Sequence, residues 1–338
     1  MPGHDIIVVG TSAGGVEALQ ILVGGFPCDL PAAIFIVLHV TPTSPSFLDE
    51  ILTRAGPLPA TQGVDGELIT PGRIYVASPD HHLLVEPGHI RVKRGPKENR
   101  FRPAIDALFR SAAYAYGPRV IGVILTGALD DGTAGLWAVK DQGGLAVVQD
   151  PQDALHASMP QSALRHVAVD HCVPLAKLAP ILIQLASEPA PAEGGFPVSK
   201  KLAIETQIAR GDHGLDADIL ALGSLSPYTC PECQGVLVQL QDGDFTRFRC
   251  HTGHAYSPSS LLAEVTQSVE NSLWNTLRTM EESILLLRHL ADHARDHQDS
   301  QMAKVAERKA RDAEQSTQLI RDLLRRQETI SEDQLRHR

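Results

Sequence analysis

The sequence predicts an α/β fold, a doubly wound and mostly parallel sheet with a β-hairpin insertion, and three observations carry that reading. First, the runs Ile6-Ile7-Val8-Val9, Ala33-Ile34-Phe35-Ile36-Val37-Leu38, Val120-Ile121-Gly122-Val123-Ile124-Leu125 and Leu145-Ala146-Val147-Val148 are apolar at every position, as strands buried on both faces are. Second, helix-like stretches separate them, over Val16 to Leu22, from Pro103 to about Tyr116, and over Leu136 to Gln142, and this alternation gives parallel crossovers. Pro103 suits the first turn of its helix. Third, Leu83-Leu84-Val85 and Ile90-Arg91-Val92 flank Glu86-Pro87-Gly88 as a hairpin, in a β-rich stretch over 57–98 that also holds Gly72-Arg73-Ile74-Tyr75-Val76-Ala77.

The first strand runs into Gly10-Thr11-Ser12-Ala13-Gly14-Gly15, whose glycines permit a sharp turn into a helix. Ser12 sits at the apex, a candidate nucleophile with the N–H groups of the first helical turn beside it. Two other roles fit the same turn. Ser12 could simply cap the helix, or the turn could hold a phosphate, although the spacing matches neither G-x-G-x-x-G nor G-x-x-x-x-G-K-[ST]. The second strand ends in His39, where a dinucleotide-binding unit would carry an acidic residue. The strand at 120–125 leads through Thr126-Gly127-Ala128-Leu129 to Asp130-Asp131-Gly132.

In a doubly wound sheet, loops beyond the carboxyl ends of the strands share one crevice, so Ser12, His39 and one of Asp130 and Asp131 can meet there. Acyl transfer needs that set: a hydroxyl to attack, an imidazole to take its proton and a carboxylate to orient the imidazole. Spacing does not choose between the two aspartates. Arg100 and Arg102, just before the helix, could orient an acidic or amide-bearing substrate or be plain solvated charge.

At 338 residues and 43% hydrophobic content, the chain is long enough for about two domains. Its formal net charge of −10 argues against nucleic acid or an anionic membrane as the main partner. The N-terminus has no signal-peptide pattern, and no apolar run approaches the roughly 20 residues that a bilayer crossing needs. The five cysteines are an odd number, three of them at metal-like spacing, which fits a reducing cytoplasm better than a disulfide framework. Cys28 and Cys172 are expected to be ordinary buried thiols.

The ordered set Gly10-Thr11-Ser12-Ala13-Gly14-Gly15, Leu38-His39-Val40, Asn99-Arg100-Phe101-Arg102-Pro103, Leu125-Thr126-Gly127 through Asp131-Gly132 and Met159-Pro160 resembles the motifs of the CheB-type chemotaxis methylesterase domain, over about residues 5–188. The resemblance implies hydrolysis of glutamate methyl esters on chemoreceptors, with glutamine deamidation in some members. It also implies Ser12 as nucleophile, His39 as base, Asp131 as orienting acid, backbone N–H groups of Ala13 and Ala128 as oxyanion donors, and no cofactor for catalysis. Many members have Met at the position of Ala128. Family members with the full architecture carry a receiver domain ahead of the esterase. This chain begins almost at the first esterase strand, so control by its own aspartyl phosphate is not expected.

Residues 189–223 read as a linker, opening on Pro189-Ala190-Pro191-Ala192-Glu193-Gly194-Gly195. Over 224–258, Cys230-Pro231-Glu232-Cys233 and Cys250-His251-Thr252-Gly253-His254 supply a four-ligand zinc set on a ribbon hairpin, a structural site because four protein ligands leave no open position. His251 and His254 both qualify as the fourth ligand. Zinc-ribbon tails of CheB-like proteins resemble this one, with the ligand in the Gly-His position, which implies Cys230, Cys233, Cys250 and His254. From 259 to 338, apolar residues recur at three- and four-residue steps in two helices that meet near Asp296 to Asp299. They form either a helical hairpin or a homo-oligomer seam.

The expected protein is therefore a cytoplasmic serine esterase over 1–188 acting on a methylated chemoreceptor or related signalling protein. The alternatives are a non-catalytic scaffold that keeps the esterase fold and a small-molecule esterase. The Pro/Gly-rich linker further leads one to expect that 1–188 is active alone and that the tail sets where it acts.

Overall fold

In the computed structural model, residues 3–43, 45–192, 195–211 and 219–326 are described, so linker positions 193–194, the connector at 212–218 and the tail beyond 326 lie outside the described residues. The chain divides into two compact units, Met1–Ser260 and Leu261–Arg338.

The first unit is built on a seven-stranded sheet of β1 (Ile6–Thr11), β2 (Ala33–Leu38), β3 (Ala60–Gln62), β4 (Ile74–Val76), β7 (Val120–Ile124), β8 (Leu145–Gln149) and β9 (His171–Val173). Its order is β3-β4-β2-β1-β7-β8-β9, and every paired neighbour is parallel. The hairpin of β5 (His82–Glu86) and β6 (His89–Lys93) stands apart from it. The run at 72–77, read with that hairpin, instead supplies β4, which with β3 extends the main sheet. Residues Ile34↔Ile74 and Ile36↔Val76 pair there, and a three-residue strand has too little length to show which sheet it joins.

Alternate residues of each central strand feed two cores, as a two-residue side-chain period requires. Ile7 and Val9 of β1 join Leu19 and Leu22 of α1 (Gly15–Gly24), Leu48 and Leu52 of α2 (Leu48–Ala55) and Leu178 and Leu182 of α6 (Leu175–Ser187). Ile6 and Val8 join Leu108 and Phe109 of α3 (Ile105–Tyr116), Leu136 and Val139 of α4 (Thr133–Asp141) and Met159 and Ala163 of α5 (Ser158–His166). Helix α3 starts two residues after Pro103, because the free N–H groups of Ile105 and Asp106 are received by the distant Asp131 side chain.

Within the stretch read as a linker lies α7 (Lys200–Arg210), capped by Ser199 and burying Leu202 in the second core. After it, β10 (Ser224–Thr229), β11 (Val236–Asp242), β12 (Phe245–Cys250) and β13 (Ala255–Tyr256) form a four-stranded antiparallel module. The second unit contains the length of α8 (Pro258–Asp296) beyond Ser260 and all of α9 (Ser300–Arg326). Ion pairs Arg321–Glu281 at 2.5 Å and Arg288–Glu314 at 2.6 Å, with Arg295–Glu307 nearer the turn, fix these helices as an antiparallel hairpin around Leu277, Ile284, Ala291, Ala303 and Ala310. Among the described residues, no helix is long and apolar enough to cross a membrane.

Candidate active site and metal centre

The chain leaves β1 toward β2 on one side and later returns to β7 on the other, so the sheet order reverses between β1 and β7, where a crevice opens beyond the strand ends. Ser12 follows β1 directly, and its N–H donates to the Thr126 carbonyl beyond β7 at 3.1 Å. It does not cap α1: the capping position is Gly14, left-handed at φ 74°, with no side-chain cap bond. The turn is tied to the neighbouring loop by Thr126, whose hydroxyl donates to the Ala13 carbonyl at 3.0 Å and accepts the His156 N–H at 2.8 Å. A Cβ on Gly127 would stand 2.1 Å from Met159 Sδ and 3.0 Å from Ser12 Cβ, so only glycine fits beside the serine. Among the described residues, the N–H groups of Ala13 and Ala128 form no hydrogen bond to the protein.

His39 lies one residue past β2, its N–H on the Thr11 carbonyl at 3.2 Å. Its ring is stacked on Phe101, with centroids 3.7 Å apart and planes 7° apart. Nε2 lies 2.8 Å from Asp131 Oδ2, while Nδ1 is buried with no protein partner among the described residues. An ionised carboxylate only accepts, so Nε2 carries the proton and Nδ1 keeps the lone pair.

The structure separates the two aspartates that spacing could not. Asp131 faces His39, and Asp130 accepts from the Ser257 hydroxyl at 2.7 Å. Asp131 also receives Ile105 N–H at 2.8 Å, Asn99 Nδ2 at 2.9 Å and Gly132 N–H at 3.0 Å. Burial pushes its carboxyl up, but the hydrogen bonds from His39, the Asn99 amide and the Ile105 N–H outweigh burial and hold it below the ordinary value. Asp106 behaves oppositely: burial and the charge of Asp131 raise it to about 7. Neither Asp106 nor the stacking Phe101 was singled out by sequence. Both adjoin or belong to a motif that was, Asn99 through Pro103.

Arg102 does not point to a substrate. Its guanidinium is held by Asp80 through Nε at 2.9 Å and Nη2 at 2.5 Å and by the Gly95 carbonyl through Nη1 at 2.7 Å. Arg100 is half-buried on a left-handed backbone at φ 78°.

Cys230, Cys233, Cys250 and His254 come together, with one donor atom from each all within 4.8 Å of one another. His254 Nδ1 lies 3.5 Å from Cys250 Sγ and 3.7 Å from Cys230 Sγ, and Cys233 Sγ lies 3.6 Å from Cys250 Sγ. A tetrahedral zinc with bonds of about 2.3 Å spaces its sulfurs by roughly 3.8 Å, so donors and spacing fit that ion. His251 is exposed, its ring against Gly235 and outside the cluster. Cys28 and Cys172 are exposed rather than buried, one in a loop and the other on the edge strand β9.

A family model described as CheB methylesterase matches residues 7–182. A relative from Leptospira interrogans, whose name pairs protein-glutamate methylesterase with protein-glutamine glutaminase, is 39% identical over 54% of this chain and 95% of its own length. Protein-glutamate methylesterase/protein-glutamine glutaminase 2 of Methanosarcina mazei is 32% identical over 54% of this chain and 52% of its own. The crystal structure of the Thermotoga maritima CheB methylesterase catalytic domain aligns with a TM-score of 0.52 at 33% identity, covering 55% of this chain and 100% of that one.

Proposed function

This chain belongs to the CheB methylesterase family, and from that premise we propose that it hydrolyses glutamate methyl esters on a chemoreceptor or related signalling protein, with Ser12 as nucleophile, His39 as base and Asp131 as orienting acid. The observation that carries the assignment is His39, with Nε2 on Asp131 at 2.8 Å and a buried, unpartnered Nδ1. Ser12 Oγ attacks the ester carbonyl as Nδ1 takes its proton, and the ionised Asp131 stabilises the imidazolium. The N–H groups of Ala13 and Ala128 receive the oxyanion. The imidazolium then returns the proton to the departing methoxide, releasing methanol, and water activated by the same Nδ1 frees the glutamate carboxylate. With glutamine in the site the leaving group is ammonia, so deamidation uses the same residues.

Residues 1–188 form the catalytic domain of this reading, and 224–258 a zinc ribbon held by Cys230, Cys233, Cys250 and His254. Zinc there closes the fold and takes no part in the chemistry. The helical pair over 259–338 serves docking or self-association.

Incubating the protein with a methylated receptor preparation and mapping methyl groups by mass spectrometry tests the proposal. Loss of methyl from glutamate side chains is the expected result. Turnover of small esters with the receptor untouched would instead make this a small-molecule esterase.

A further inference from the structure

The Lys97–Phe101 segment joins the esterase sheet to the four-stranded module. Asn99 N–H donates to the Ala255 carbonyl at 2.8 Å, and Ala255 N–H returns to the Lys97 carbonyl at 3.3 Å. Asn99 is buried on a left-handed backbone at φ 49°, and its carboxamide is fully engaged. Nδ2 donates to Asp131 Oδ1 and to Asp106 Oδ2, each at 2.9 Å. Oδ1 accepts the Ser257 N–H at 3.0 Å and the Ser260 hydroxyl at 3.1 Å. Turning the amide over would aim its oxygen at the Asp131 carboxylate and its NH2 at the Ser257 N–H, so the observed orientation is the one that satisfies the site. Ser257 in turn accepts the Ser260 N–H at 3.0 Å and donates to Asp130. The Ser257 N–H and the Ser260 hydroxyl, just beyond β13, thus decide which way the amide beside the acid faces.

The module that carries them is anchored by buried charge. Arg249 reaches Glu205 at 2.9 Å, Glu98 at 3.1 Å and the Gly253 carbonyl at 2.7 Å. Arg247 holds Glu205 through two bonds of 2.8 and 2.9 Å, and Arg110 of α3 pairs with Glu98. These side chains are all at most 2% exposed, so undocking would strand several unpaired charges. Glu98 directly precedes Asn99, which places the anchor and the amide on one piece of backbone.

We propose that Asn99, Ser257 and Ser260 are positioning residues, through which the C-terminal four-stranded module fixes the Asp131 carboxylate facing His39. The proposal rests on Asp131 being the orienting acid. It makes the module part of the esterase's working structure, acting through kcat and not through substrate binding.

The full-length protein tests it with Ser260→Ala, Ser260→Thr and Asn99→Asp, each checked for a cooperative melting transition. The direct readout is the low-field proton resonance of His39 Nε2–H shared with Asp131, and the second is kcat and KM on a small soluble ester. Ser260→Ala should shift or broaden the resonance and lower kcat roughly tenfold with KM within about twofold, while Ser260→Thr, which keeps the hydroxyl, should restore both. A folded Ser260→Ala with resonance and kcat unchanged overturns the proposal. Should Ser260→Ala fail to fold, Asn99→Asp decides, since it keeps size and backbone preference while replacing the donor to Asp131 by an acceptor. An unchanged resonance there overturns the proposal equally. If the wild type hydrolyses no ester, the enzymatic reading fails by itself, and the resonance still reports whether the module orients Asp131.

Discussion

Asp131 and Asp106 are buried carboxyls bridged by one amide and shifted in opposite directions. Asp131, lowered, contributes stability that is present above the ordinary carboxylate range and is lost as pH falls through its folded value. Asp106, raised to about 7, works the other way: between roughly pH 4 and 7 the folded protein holds a proton that the unfolded chain has released, so this group's contribution weakens as pH rises through that window. A carbon-detected titration should therefore find the Asp106 carboxyl changing state near pH 7. A midpoint near the ordinary aspartate value would show that the charge of Asp131 is screened from it.

Among the elements, the four-stranded module carries a donor cluster that could hold a metal ion. With its four donors in place, metal analysis should find about one zinc per chain, and Cys230→Ser should lose it together with the hydrogen-exchange protection of β10 to β13. Full zinc in that variant would mean a different ligand set. The Cys-x2-Cys and Cys-x3-His spacings were legible because a knuckle is local. So were β1, β2, β7 and β8, whose residues are all buried except the half-buried Leu145. Strands β4 and β9, of three residues each, acquire their identity from their partners and carry no period of their own. The choice of Asp131 over Asp130 was not in the spacing either, because it is made by the Ile105 N–H and His39 in space. Nor does anything local announce Asn99 and Ser257, bonded across 158 positions of chain.

For the molecule as a whole, composition marked 189–223 as a connector, and the expectation followed that 1–188 is active alone. The structure revises its basis. Helix α7 buries Leu202 in the sheet's second core and Ala209 against Leu84, Ala104 and Ala107, and Glu205 meets Arg247 and Arg249. Truncation after residue 188 should lower the melting temperature and cut small-ester turnover by roughly tenfold or more. Equal stability and turnover would restore the free-tail picture. If this fold hydrolyses esters through Ser12, methanol release from methylated receptor membranes must depend on that hydroxyl, and comparing wild type with Ser12→Ala measures the dependence. Release by the wild type, with loss of about a thousandfold or more in the variant, is predicted. Equal release from both proteins would contradict it.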